Sequence, residues 1–135
     1  MKLQKVPVIS IVDDDRSVRE ATQSLVRSLG YRAVTFRSAM EFLKSPHLMA
    51  TACLITDVQM PGLSGVDLQD RLIAEGRRMP VIFITAFRDE GLQARVLKRG
   101  AAGYLPKPFN VDRFIECLDA ALGANARSLL LEAIA

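Results

Sequence analysis

Two kinds of apolar pattern alternate along the chain. Short runs rich in β-branched residues, "VPVISIV" (6–12), "YRAVTF" (31–36), "ACLITD" (52–57), "PVIFIT" (80–85) and "GYLP" (103–106), are separated by segments with apolar residues at helical spacing. Positions 8–12 and 81–85 are apolar on both faces, the pattern of a parallel strand covered by helices on both sides. In the first intervening segment Val18, Ala21, Thr22, Leu25, Val26 and Leu29 share one helical face, and Gly30 stops it. Ser38 is expected to cap a short helix through Leu43, with Glu41 completing a capping box. Ser64 to Glu75 reads as a third helix before Gly76, and Asp89 to Arg99 as a fourth, poorer in apolar residues, before Gly100. Val111, Phe114, Ile115, Leu118 and Leu122 give a fifth helix with one buried face.

This alternation predicts an α/β fold, a flavodoxin-like (βα)₅ doubly wound parallel sheet with strand order 2-1-3-4-5 in a single domain. Residues 1–122 are expected to form that domain and 123–135 a C-terminal tail, a helical linker. Ligands of such sheets bind at the carboxyl ends of the strands, beside the switch point between strands 1 and 3.

The chemistry lies at those ends. Strand 1 runs into Asp13 and Asp14, strand 3 into Asp57, strand 4 into Thr85, and strand 5 leads to Lys107. Taken singly, each has a structural reading: a turn former, a β-branched strand residue, a surface lysine. Asp15 is expected simply to cap the first helix. Together on one sheet edge, three carboxylates favour a hard cation with oxygen ligands, Mg²⁺ where phosphate is also bound, with Mn²⁺ as a substitute. An aspartate can attack a phosphoryl group and carry it as an acyl phosphate. Asp57, alone at its strand end, is the nucleophile candidate, Asp13 and Asp14 the metal-holding pair, and Lys107 and Thr85 the groups on the equatorial oxygens. Without metal the three aspartates repel, so at least one is expected to resist ionisation.

Composition excludes several other classes. With 135 residues, half of them apolar and 24% charged, the chain can bury a real core. No apolar run reaches the roughly 18 residues of a membrane span, and no cleavage site follows the N-terminus, so a cytoplasmic protein is expected. The net charge of +3 comes from scattered bases without aromatic interleaving, which argues against direct nucleic-acid binding. Cys53 and Cys117 read as reduced thiols, and a lone His47 cannot build a zinc site. An FMN binder of the same topology needs a Ser/Thr/Gly-rich loop after strand 1. A phosphatase with an aspartate nucleophile needs a DxD at strand 1 and a cap domain; neither fits as well.

"IVDDD", "LITDVQMPGLSG", "VIFITAF" and "AAGYLPKPF" together resemble the four signature regions of the response-regulator receiver domain (CheY-like), over roughly residues 6–122. "SAMEFL" and "KPF" are further similar to the FixJ-type subgroup of transcriptional regulators. The resemblance implies that Asp57 takes a phosphoryl group from a sensor histidine kinase. Asp14 would bind the metal directly, Asp13 through water, and Gln59 through its backbone carbonyl. Thr85 and Tyr104 would be the switch pair, Lys107 the phosphate-binding lysine, and Lys107–Pro108 a cis bond. Gln59 and Phe87 occupy positions that in this family tune the phosphoryl lifetime, whereas Ala86 is small, as the family usually has it. By the same analogy the chain would be a phosphoacceptor that catalyses its own phosphorylation and dephosphorylation, not a turnover enzyme.

Ala126, Leu129, Leu130, Ala133 and Ile134 in the tail fall at i, i+3, i+4, i+7 and i+8, the pattern of an amphipathic helix. Two readings of the output stay open: the receiver part of a longer transcriptional regulator, or a stand-alone receiver or pseudo-receiver acting by contact. In both, helix 4, strand 5 and helix 5 would form the interaction face. Its mixed charges (Arg88, Arg95, Arg99, Asp112, Arg113, Asp119) suit a phosphorylation-dependent homodimer, by analogy with the family.

Overall fold

The computed structural model describes residues 6–134, and side chains over residues 6–123. Strands and helices alternate along them: β1 Val8–Val12, α1 Arg16–Ser28, β2 Arg32–Phe36, α2 Ala39–Leu43, β3 Thr51–Thr56, α3 Gly65–Ala74, β4 Val81–Thr85, α4 Glu90–Lys98, β5 Gly103–Pro106 and α5 Val111–Ile134. The five strands are parallel in the order β2-β1-β3-β4-β5, as the alternation predicts. β1 and β4 are buried at every position, which explains why neither alternates in sequence. The tail's expected apolar face lies outside the described side chains, although the backbone of α5 continues through Ile134.

Alternation within the strands sends side chains to two separate cores. Ile9, Ile11, Cys53, Ile55, Ile82 and Ile84 pack with Val26 of α1 and Phe114 and Leu118 of α5. Leu54 and Phe83 face the other way, onto Phe42 of α2, Leu68 and Leu72 of α3 and Val96 of α4. Burial of these side chains, at about 1.5–3 kcal/mol each, is the main force holding the layers. One polar pair sits inside. The Thr51 hydroxyl donates to the His47 carbonyl at 2.7 Å, so the Ser10 hydroxyl donates to Thr51, also at 2.7 Å.

The helix starts are chemically specified. Asp15, Ser64 and Asp89 accept from the backbone N–H three residues on, and cap α1, α3 and α4. The capping box expected at α2 is only half formed. Ser38 accepts from Glu41 N, but the Glu41 carboxylate reaches past the cap to Arg37 N at 3.3 Å. The reciprocal box occurs instead at α3, where Asp67 bonds Ser64 N, a shorter acid doing what Glu usually does.

Candidate functional site

A parallel sheet aligns its strands' carboxyl ends along one edge, so the residue after each strand joins a common crevice. Asp57 N donates to Val12 O at 3.1 Å, which sets the end of β3 beside that of β1. Asp13, Asp14 and Asp57 consequently each place a carboxylate oxygen within 4.8 Å of the others. Asp13 and Asp57 are buried and Asp14 is exposed, so the cluster is open to solvent on the Asp14 side. Carboxylate oxygens in this arrangement, reachable from one side, are a donor set that fits a hard divalent cation.

Lys107 joins the cluster from β5. Its backbone N–H donates to Thr85 O at 2.9 Å, and its Nζ lies 2.8 Å from both Asp13 Oδ2 and Asp57 Oδ2. The Lys107–Pro108 bond is cis, as the resemblance implies. Burial weakens the Lys107 ammonium, but the two carboxylates outweigh it and hold its pKa above the ordinary lysine value. Asp13 is pushed above the usual carboxylate range, chiefly by burial. Its bonds from Lys107 and Asp15 N oppose that shift, and the Asp57 charge adds a smaller push. The expected resistance to ionisation is therefore present at Asp13, but desolvation, rather than mutual repulsion, is the main cause.

Thr85 ends β4 and is buried, with its hydroxyl accepting from Phe87 N at 3.0 Å. Tyr104 of β5 is half-buried and donates its hydroxyl to Phe87 O at 3.2 Å. The two residues of the expected pair thus meet through a single peptide segment. Burial, then the charges of Asp89 and Asp57, raises the Tyr104 pKa. Gln59 is exposed, and it is its amide N–H that meets Asp57, at 3.3 Å from Oδ1.

Two contributors, Arg19 and Gly65, escaped the sequence reading, as did the use of the Phe87 main chain. Arg19 donates from Nη1 to Asp13 O at 2.8 Å and, with Asp15 N on Asp13 Oδ1 at 2.9 Å, fixes the acidic loop. Phe87 contributes through its main chain, which meets Thr85 Oγ1 and the Tyr104 hydroxyl. Gly65, in the first turn of α3, brings its backbone so close to the Asp57 peptide that a Cβ would lie 2.0 Å from Asp57 O. Its N–H donates to Val58 O at 2.8 Å, fastening the start of α3 to the segment that follows Asp57. A glycine next to a capping serine was the one available signal. Nothing in the spacing announced Arg19.

A family model described as the response regulator receiver domain matches residues 9–119. The response regulator protein TmoT of Ectopseudomonas mendocina is 43% identical over 115 residues, covering 85% of this chain and 52% of TmoT. The transcriptional regulatory protein FixJ of Azorhizobium caulinodans is 38% identical over 118 residues, 87% of this chain and 56% of FixJ. The structure of the response regulator StyR superposes with a TM-score of 0.86 at 37% identity, covering 96% of this chain and 66% of StyR. The chain spans about half the length of the curated relatives it matches.

Proposed function

The chain belongs to the response-regulator receiver family, and we propose that Asp57 is its phosphoacceptor, phosphorylated by a sensor histidine kinase with Mg²⁺ or Mn²⁺ bound. It acts as a regulator and not as a turnover enzyme. The observation that carries this reading is the Asp57 carboxylate, 2.8 Å from a lysine and clustered with two further carboxylates at the end of β3.

An Asp57 oxygen attacks phosphorus, the phosphorus–nitrogen bond to the kinase histidine breaks, and the imidazole leaves with the bonding pair. Lys107 Nζ, already at Asp57 Oδ2, transfers one N–H to a phosphoryl oxygen. The Thr85 hydroxyl accepts from Phe87 N and keeps its own proton free to donate to another phosphoryl oxygen. Asp14 and Asp57, with Asp13 behind them and the Gln59 carbonyl beside them, would hold the metal, which neutralises charge on the incoming group. Movement of Thr85 then disturbs the Phe87 segment to which Tyr104 is bonded, and so changes the α4/β5/α5 face.

In this reading the chain lies in the cytoplasm, in keeping with the finding that no described helix is long and apolar enough to cross a membrane. Its output is transcriptional, carried by a further domain, as the length of TmoT and FixJ and the name of FixJ suggest, and its activated form dimerises through the α4/β5/α5 face. The test is intact mass after incubation with acetyl phosphate, with and without Mg²⁺, for wild type and Asp57→Asn. A single adduct that needs Mg²⁺ and is absent in the variant supports the proposal. An adduct that persists in Asp57→Asn overturns the assignment of the acceptor.

A further inference from the structure

The two ends of α4 are held very differently. Val96, its one buried residue, receives a hydrogen bond from outside the helix: Gln69 of α3, itself 3% exposed, donates from Nε2 to Val96 O at 3.1 Å. Ala101 N donates to the same carbonyl at 3.0 Å, so the end of α4, the turn into β5 and α3 meet at one oxygen. The other end lies over a cavity of about 240 Å³ lined by Thr85, Phe87, Asp89, Glu90, Gln93 and Tyr104. Residues 86–91 are exposed, and among the described residues no hydrogen bond ties 89–94 to another element.

We propose that Gln69 is a positioning residue that pins the C-terminal end of α4, making Val96 the pivot about which the N-terminal half of the helix moves when Asp57 is phosphorylated. The moving end is the one that shares a cavity with Thr85 and Tyr104, so a rotation of either side chain acts on it directly. The pinned end is held instead by a buried amide on a carbonyl that also accepts from Ala101 N. The proposal rests on the receiver reading for its trigger, but the pin itself does not.

Gln69→Met is a clean probe. The methionine matches the glutamine in length and removes only the amide, whose Oε1 has no partner among the described residues. Val96 O keeps its bond from Ala101, so no carbonyl is stranded and the fold tolerates the change. Gln69→Asn, polar but too short to reach Val96, serves as an independent variant. Hydrogen–deuterium exchange of the full chain is followed for wild type and both variants, before and after acetyl phosphate with Mg²⁺, with the adduct counted by intact mass. In wild type, phosphorylation should alter exchange at 89–94 and leave 96–101 unchanged. Both variants should exchange about fivefold faster at 96–101 even without phosphate. In them the phosphorylation response should spread along the whole helix, a change that loss of stability alone does not produce. Wild-type changes of equal size along all of α4, or unphosphorylated variants that exchange like wild type at 96–101, would overturn the pin. Absence of any wild-type adduct would strike the phosphoacceptor reading, while the unphosphorylated comparison still decides the pin.

Discussion

Among the described residues stand two three-membered ion clusters with opposite composition. At the carboxyl edge of the sheet one cation, Lys107, sits between Asp13 and Asp57 at 2.8 Å from each, and the three side chains are 16%, 4% and 11% exposed. On the outer seam of α3 and α4 one anion, Asp70, lies 3.5 Å from Arg95 and 3.1 Å from Arg99, with exposures of 34%, 55% and 39%. The charge arithmetic is mirrored, but the energetics are not. Outside, water and salt screen each pair and long side chains lose entropy in holding it, so such pairs contribute about 0–1 kcal/mol. Inside, desolvation is severe enough to raise the Asp13 pKa even with a lysine in contact. The inner cluster is thus poised to exchange partners, and the outer one is surface.

Removing the inner cation should give the largest effect. Lys107→Met strands two buried carboxylates and is expected to cost about 3 kcal/mol in urea unfolding at neutral pH, without metal. The lysine's contribution has a known pH window. Because its folded pKa is raised, the stabilisation is complete below the ordinary value of 10.5 and is lost as pH rises through the folded one. Wild type should therefore lose its advantage over Lys107→Met in alkali, and a constant gap would refute the ion-pair account.

Supplying a cation comes next. At a hundredfold excess over its Kd, Mg²⁺ should stabilise the wild type by about 2.7 kcal/mol. Asp14→Asn should abolish this rise in Tm, and a wild type indifferent to Mg²⁺ would sink the metal site. A smaller gain is expected from Asp13→Asn without metal. Asp13 has a raised folded pKa, so its ionised form destabilises the native state above that value. The variant should be the more stable at neutral pH, and its lead should shrink as the pH falls through the raised pKa toward 3.8. Asp70→Asn should change stability by no more than about 0.5 kcal/mol, and less still in high salt. A loss as large as that of Lys107→Met would erase the distinction between the two clusters.

The inner cluster was legible in the sequence because parallel strands bring their ends together by rule. Once β1, β3, β4 and β5 were read from their apolar runs, Asp13, Asp57, Thr85 and Lys107 had to share an edge. Asp15 as a cap was equally local. What stayed hidden depended on side chains of unexceptional type meeting across long separations: Arg19 on Asp13 O, Gln69 on Val96 O, Asp70 between two arginines. No periodicity encodes such contacts. The half-formed box at α2 failed for a related reason, since spacing specifies that Glu41 can turn back but not which N–H it meets.

Gly65 also bears on which sequences this fold can accept. Gly100 is a glycine because its φ is +101°, with nothing within 4 Å of an added Cβ, so asparagine, which tolerates that region, should be an acceptable replacement there. At Gly65 the obstacle is the carbonyl oxygen of Asp57 itself, and every side chain begins with the same Cβ. In a saturation library scored for phosphoryl uptake, position 100 should admit a small set of residues and position 65 only glycine. A position with no side chain of its own is then as strict a requirement of this strand end as the aspartate that carries the charge.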